Sequence, residues 1–233
     1  MKQGLDTKVS RPCRFRDYCY YMSAPVSSTT CLWCIMVWTE CKNSKRAGEE
    51  VEMELDVANF YEILSPRCTV LVSTADKQGR PNAAPFSFVT PVSANPPLVL
   101  IASAPNRHTL SNIRETGEFV LNIVPESVLD KMWVCSKAFP KGVSEIKEAG
   151  LTERKSKHVR APSVEECAGW IECRLESEHK AGDHVLIVGR VLHAGCHDDL
   201  MKGEQFDVAR AKPVMHIRGK RFVAAERIVT VKD

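Results

Sequence analysis

Apolar positions recur at two different periods along this chain, and each change of period marks an element. Residues 68–74, Cys-Thr-Val-Leu-Val-Ser-Thr, are β-branched and apolar without interruption, as a buried strand is. Asp76-Lys-Gln-Gly79 follows as a turn, with Gly79 supplying the positive φ a hairpin commonly needs. Residues 82–92 form the returning strand, made irregular by Pro85 and Pro91, which cannot donate ladder hydrogen bonds. Pro96 and Pro97 introduce a further apolar strand at 98–102. The period then lengthens. Leu110 and Ile113 mark the inner face of a short helix over 109–116, and Gly117 is its stop. A strand at 118–124 comes next. Val128, Leu129, Met132 and Trp133 recur at helical spacing over 125–137, and 142–151 reads as a shorter helix. Strands are expected at 170–176, 184–193, 213–217 and 222–229. Upstream, Asp56 caps a short helix through Tyr61 and Leu64 that Pro66 ends. Many short strands, with turns between them and few helices, predict an antiparallel barrel.

The first fifty or so residues do not share this regularity. Their apolar centre, 31–38, is eight residues long, against the roughly 20 needed to cross a bilayer. Arg11, Arg14 and Arg16 imitate the start of a signal peptide, yet no clean small-residue cleavage site follows. Cys31-Leu-Trp-Cys34 has zinc-knuckle spacing, but the segment holds neither a second C-x-x-C nor a histidine. Residues 1–52 are therefore expected to be a poorly ordered extension, and 53–233 the domain.

Composition removes several classes of function. The chain has 233 residues and a formal net charge of +3, with no Lys/Arg stripe interleaved with aromatics, so nucleic acid is not an expected partner. Nor is a membrane. Five of the ten cysteines lie before residue 42 and the others are scattered, without a C-x-x-C pair among them. They read as buried thiols in a reducing, cytoplasmic compartment rather than as a redox centre. His193 and His197 are four apart in a strand-like stretch, where that spacing does not bring two imidazoles together, so no metal site is expected.

Three pieces carry chemistry. Arg107-His108-Thr109 stands at a helix entrance, where free N–H groups and the dipole favour an anion. Taken alone, it reads as a solvated helix start with an exposed arginine. Asn82-Ala83-Ala84-Pro85-Phe86-Ser87 offers small side chains on a proline-interrupted strand, which an edge strand with a bulge would also explain. There is no G-x-S-x-G around Ser87, so it is not a nucleophile. Gly182-Asp183-His184 ends a turn and opens the apolar strand that carries Val188-Gly189-Arg190-Val191.

In this order, from about Leu55 to Val231, these pieces resemble the flavin-reductase-like family of FMN-binding split barrels, close to its flavoredoxin-type members. The resemblance implies a mainly β fold, a six-stranded antiparallel Greek-key split barrel with appended helices, assembled as a homodimer. It implies that Asn82, Ala83, Ala84, Pro85, Phe86 and Ser87 line the flavin, with Ser87 and Ser103 near the ribityl phosphate. By the same resemblance, Arg107, His108 and Thr109 hold the FMN phosphate, although His108 replaces the lysine most members carry. His184 falls on the family's histidine near the flavin and the nicotinamide, and is the catalytic candidate. His216 resembles a residue of the last strand that closes the pocket, and reads equally as a core histidine. No G-x-G-x-x-G follows a strand, so NADH or NADPH would dock transiently over the flavin. The implied function is an FMN-dependent NAD(P)H oxidoreductase that delivers electrons to free flavin, ferric iron or a partner protein. The alternative is an FMN-binding electron carrier or flavin store.

Overall fold

The computed structural model describes residues 53–231. The expected extension at 1–52 and its Cys31-x-x-Cys34 pair lie outside the described residues. Seven strands form the main sheet: β1 (Val70–Ala75), β2 (Pro81–Phe86), β3 (Val89–Ser93), β4 (Leu98–Ser103), β5 (Glu118–Ile123), β6 (Gly169–Ala181) and β7 (His184–Cys196). Their order is β2-β1-β5-β6-β7-β4-β3, antiparallel throughout.

The two outermost strands, β2 and β3, are consecutive in the chain and joined only by Ser87 and Phe88. Three residue steps reach at most about 11 Å. Edges of a flat seven-stranded sheet would be about 29 Å apart, six spacings of roughly 4.8 Å. The sheet therefore has to curl until its edges meet at that end, which makes a barrel. This corner also corrects one expectation from the sequence. The return strand foreseen over 82–92 is two strands that belong to opposite edges, so the sheet has seven members and not six.

Between β4 and β5 lies helix α1 (His108–Thr116), which drops Leu110 and Ile113 into the barrel. Gly117 ends it in the left-handed conformation, φ 72°, donating its N–H to the carbonyl of Ile113. The long helix expected over 125–137 is shorter: a 3-10 turn, Glu126–Val128, leads into α2 (Leu129–Val134). The next is α3 (Glu145–Glu148), capped by the Ser144 hydroxyl, which accepts from the N–H of Lys147. A one-turn helix, α4 (Val208–Ala211), precedes β8 (Val214–Arg218) and β9 (Arg221–Ala224). The Asp56 cap forms as expected, on a 3-10 helix at Val57–Glu62.

Two apolar layers share β1, which explains its unbroken hydrophobic run. Val70 and Val72 face the barrel interior with Phe86, Ile101, Phe119, Leu121 and Ile187. Leu71 points the other way, into a cluster with Val128, Met132, Ile146 and Val214. Strands β6 and β7 run 13 residues each; the C-terminal part of β6 is polar and mostly exposed, while the start of β7 buries Val185 and Ile187 in the barrel. Ion pairs between Arg190 and Glu176 and between Arg114 and Glu178 flank the β6–β7 hairpin.

One close approach in the interior admits only glycine. A Cβ added at Gly189 would collide with the ring of Phe119, which is fully buried on β5. The β6–β7 ladder slips register between Val188 and Gly189, beside this contact.

Candidate flavin site

A cavity of about 490 Å³ opens among β2, the end of β4, the start of α1, the loop at 135–139 and His184. Its size is in the range of small-molecule and cofactor sites, roughly 300–1,000 Å³.

One end is built to receive an anion. Arg107 is the N-cap of α1, in an extended conformation and with no side-chain cap. The first N–H to bond back along the helix is that of Ser111, to the Arg107 carbonyl at 3.2 Å. The N–H groups of His108, Thr109 and Leu110 therefore have no intrahelical acceptor. No acidic residue occupies the first turn to compete for them. Arg107, His108 and Lys137 all line the cavity, and none of their side chains has a hydrogen-bond partner among the described residues.

Behind this end lies a buried polar chain. Asn82 Nδ2 donates to Glu145 Oε1 at 2.7 Å, and the N–H of Ala83 donates to Glu145 Oε2 at 3.1 Å. Asn82 Oδ1 accepts from the hydroxyls of Thr109, at 3.0 Å, and of Thr74, at 3.4 Å. Thr74 in turn accepts from Asn112 Nδ2 at 3.0 Å. Burial holds the Glu145 carboxyl above the usual carboxylate range, opposed by the hydrogen bonds it accepts and by nearby His108.

Along the wall, Ala84, Pro85, Phe86 and Ser87 line the space. Ala83 does not. Its methyl is buried in the layer that contains α2 and α3. Ser103 lines the cavity and donates its hydroxyl to the Ala104 carbonyl at 3.1 Å.

The β4–β7 register sets Val185 opposite Ser103, which brings the part-exposed His184 to the lip of the cavity. His184 Nδ1 is 2.7 Å from Asp183 Oδ1, and its ring lies 5.4 Å from that of Phe88. That bond and the imidazole's charge hold the Asp183 carboxyl below its ordinary range. With Nδ1 engaged, Nε2 is the nitrogen left for a ligand.

Several wall residues were not foreseen: Phe88, Cys135, Ser136, Lys137, Phe139 and Glu145. Reading 125–137 as one helix hid the loop, although Phe139-Pro140-Lys141-Gly142 punctuates the chain there. Cys135 is buried and its thiol is pushed up to about 12, chiefly by that burial, so it is not a nucleophile. His216 lies outside the cavity; it sits in β8 between Arg67, the Gly219 carbonyl and Phe222. His193 packs on His158, and His197 on Trp170. Among the described residues no group of three His, Cys, Asp or Glu side chains could hold a metal.

The flavin reductase like domain model matches residues 64–224, more than two thirds of the chain and all of the sheet. The chain belongs to this family. A protein of Methanothermobacter thermautotrophicus is 38% identical over 166 residues, 69% of this chain and 78% of its own length. A flavin reductase of Pseudomonas putida is 33% identical over 152 residues, 64% of this chain and 85% of its own. A split-barrel flavin reductase structure from Shewanella frigidimarina superposes with a TM-score of 0.70 at 21% identity, over 80% of this chain and 100% of its own. The fold of this family member is thus a split barrel, and its function is that of a flavin-linked oxidoreductase. Its cavity suits such a cofactor: cations with no partner among the described residues and N–H groups with no intrahelical acceptor at one end, and small, flat side chains along the wall.

Proposed function

We propose that this protein is an FMN-dependent NAD(P)H oxidoreductase that delivers electrons to free flavin, ferric iron or a partner protein. The observation that carries the proposal is the meeting, in one cavity, of the uncapped α1 N-terminus and its cations with the 84–87 wall. Arg107 offers a planar donor fork, Lys137 a mobile point charge, and the helix start its N–H groups; together they suit a terminal phosphate. Ala84 and Pro85 allow close approach of a planar ring, and the Ser87 hydroxyl has no partner among the described residues. Bound FMN would supply the hydride and electron chemistry. His184 stands at the open lip, where a transient nicotinamide can enter, with its Nδ1 proton held by Asp183. The test is to mix the FMN-loaded protein with NADH and with NADPH in the absence of oxygen. Bleaching of the yellow band by either nucleotide is expected. A yellow protein that neither one bleaches would be an electron carrier instead.

His184→Ala is expected to keep FMN affinity within about threefold while slowing reduction, since only one hydrogen-bonding group is lost at the lip. Loss of flavin with an unchanged reduction rate in the reloaded variant would contradict this role.

A chain beginning at Met53 should remain yellow and dimeric, because the family match and every cavity residue lie after it. Sedimentation of that chain with FMN present checks both points. A second copy of the chain would cover apolar side chains that are exposed here, among them Phe60 (61%), Ile63 (75%) and Val229 (74%). No described helix is long and apolar enough to cross a membrane. The five free cysteines among the described residues fit the reducing cytoplasm.

A further inference from the structure

The sequence offers Asn82 and Thr109 as ligand contacts, yet the structure ties both into the buried chain that ends at Glu145. Two N–H donors, Asn82 Nδ2 and the amide of Ala83, converge on the two Glu145 oxygens, so Glu145 acts there as an acceptor. With Glu145 as a carboxylate, only one orientation of the Asn82 amide satisfies these bonds. Its NH2 faces Glu145 and its oxygen faces Thr109 and Thr74. The Thr109 hydroxyl then has its only proton on Asn82 and has none to give a phosphate. Glu145, Asn82 and Thr109 are 4%, 8% and 1% exposed, so water does not substitute for these bonds.

We infer that Glu145 is a positioning residue of the flavin site, acting through Asn82 on Thr109 to hold the α1 N-terminus against β2. This rests on the reading of the cavity as the FMN site. Three elements distant in sequence, β2, α1 and α3, meet at one amide, and the residue that amide grips, Thr109, is the middle one of the three whose N–H groups have no intrahelical acceptor. Thr109 serves by placement, and the cations and backbone N–H groups do the binding.

The test is a double-mutant cycle of Glu145→Ala and Thr109→Val, read by FMN and riboflavin affinity and by the melting temperature of the flavin-free protein. Each single change is expected to weaken FMN about tenfold and riboflavin less than about threefold, since the phosphate end is the part displaced. The double variant should be no weaker than the worse single one, because the second change removes a link already broken. Glu145→Gln should restore FMN binding to within about threefold. An amide can accept from Ala83 and donate to an inverted Asn82, whose NH2 then meets Thr109. Additive losses, equal losses of FMN and riboflavin, or unchanged FMN binding in both single variants would overturn the inference. The melting cycle reads the same coupling without flavin: non-additive shifts support it, and additive ones contradict it. A wild-type protein that bound no flavin would instead sink the proposed function and leave the melting cycle to judge the network.

Discussion

Arg107→Ala should weaken FMN binding by about tenfold to a hundredfold and leave riboflavin almost unchanged. A hydrogen bond to a charged group contributes about 1.5–3 kcal/mol, and each 1.4 kcal/mol is tenfold in affinity. The phosphate carries between one and two negative charges near neutral pH, and a partly desolvated anion of that charge needs a cation close by. Arg107 stands at the α1 entrance, where the free N–H groups already converge, and no described carboxylate pairs with it. Lys137→Ala should cost only a few-fold, because a solvated ammonium on a flexible stem is a weaker partner than a fork. The gap between wild type and Arg107→Ala should narrow as salt rises, since Arg107 is exposed and its field is screened within about 10 Å at 0.1 M. Titrating both variants with FMN and riboflavin at two salt concentrations reads all of this. Equal loss of riboflavin would mean that Arg107 supports the fold.

The largest effect on stability is expected at Gly189, far from the charged end. Gly189→Ala places a methyl into the Phe119 ring and within 3.2 Å of the Cys173 Cβ, deep in the barrel. Overpacking of a filled core costs about 1–3 kcal/mol, and a domain of this size loses about 2–4 °C per kcal/mol. The ring cannot simply swing aside, since Phe119 is fully buried among Leu121, Cys173 and Ile187. Phe119→Leu on its own should also destabilise, by leaving a gap. Combined, the two changes should lower the melting temperature by less than the sum of the single effects, because the smaller side chain accommodates the methyl. Strict additivity would show that the Gly189–Phe119 contact is not the cause.

These two sites also show what the sequence could and could not reveal. Arg107 was legible because Leu110, Ile113 and Gly117 outline α1 without any knowledge of its neighbours, and the cap position follows from the helix. Hydrophobic period reports which face of an element is buried. It does not report what lies opposite. Hence β1 and β5 were found, while the split of 82–92 into β2 and β3 was not, since the break follows from closing the sheet. The Gly189–Phe119 contact joins residues 70 apart in sequence and leaves no local mark beyond a glycine in an apolar strand. Glu145 escaped notice for the same reason, as its partners Asn82 and Ala83 are 63 and 62 residues away. Asn82 and Thr109 line the cavity, but a sequence does not show that these two polar side chains, 27 residues apart, are hydrogen-bonded to each other.

A crystal structure of the FMN complex should show the phosphate at the start of α1, within hydrogen-bonding distance of the Arg107 guanidinium and of N–H groups among His108, Thr109 and Leu110. The ring should lie against Ala84, Pro85 and Ser87, with the Thr109 hydroxyl still donating to Asn82. A flavin bound outside this cavity, or one lying in it with its phosphate at His184 instead, would show that the start of α1 is not the phosphate site.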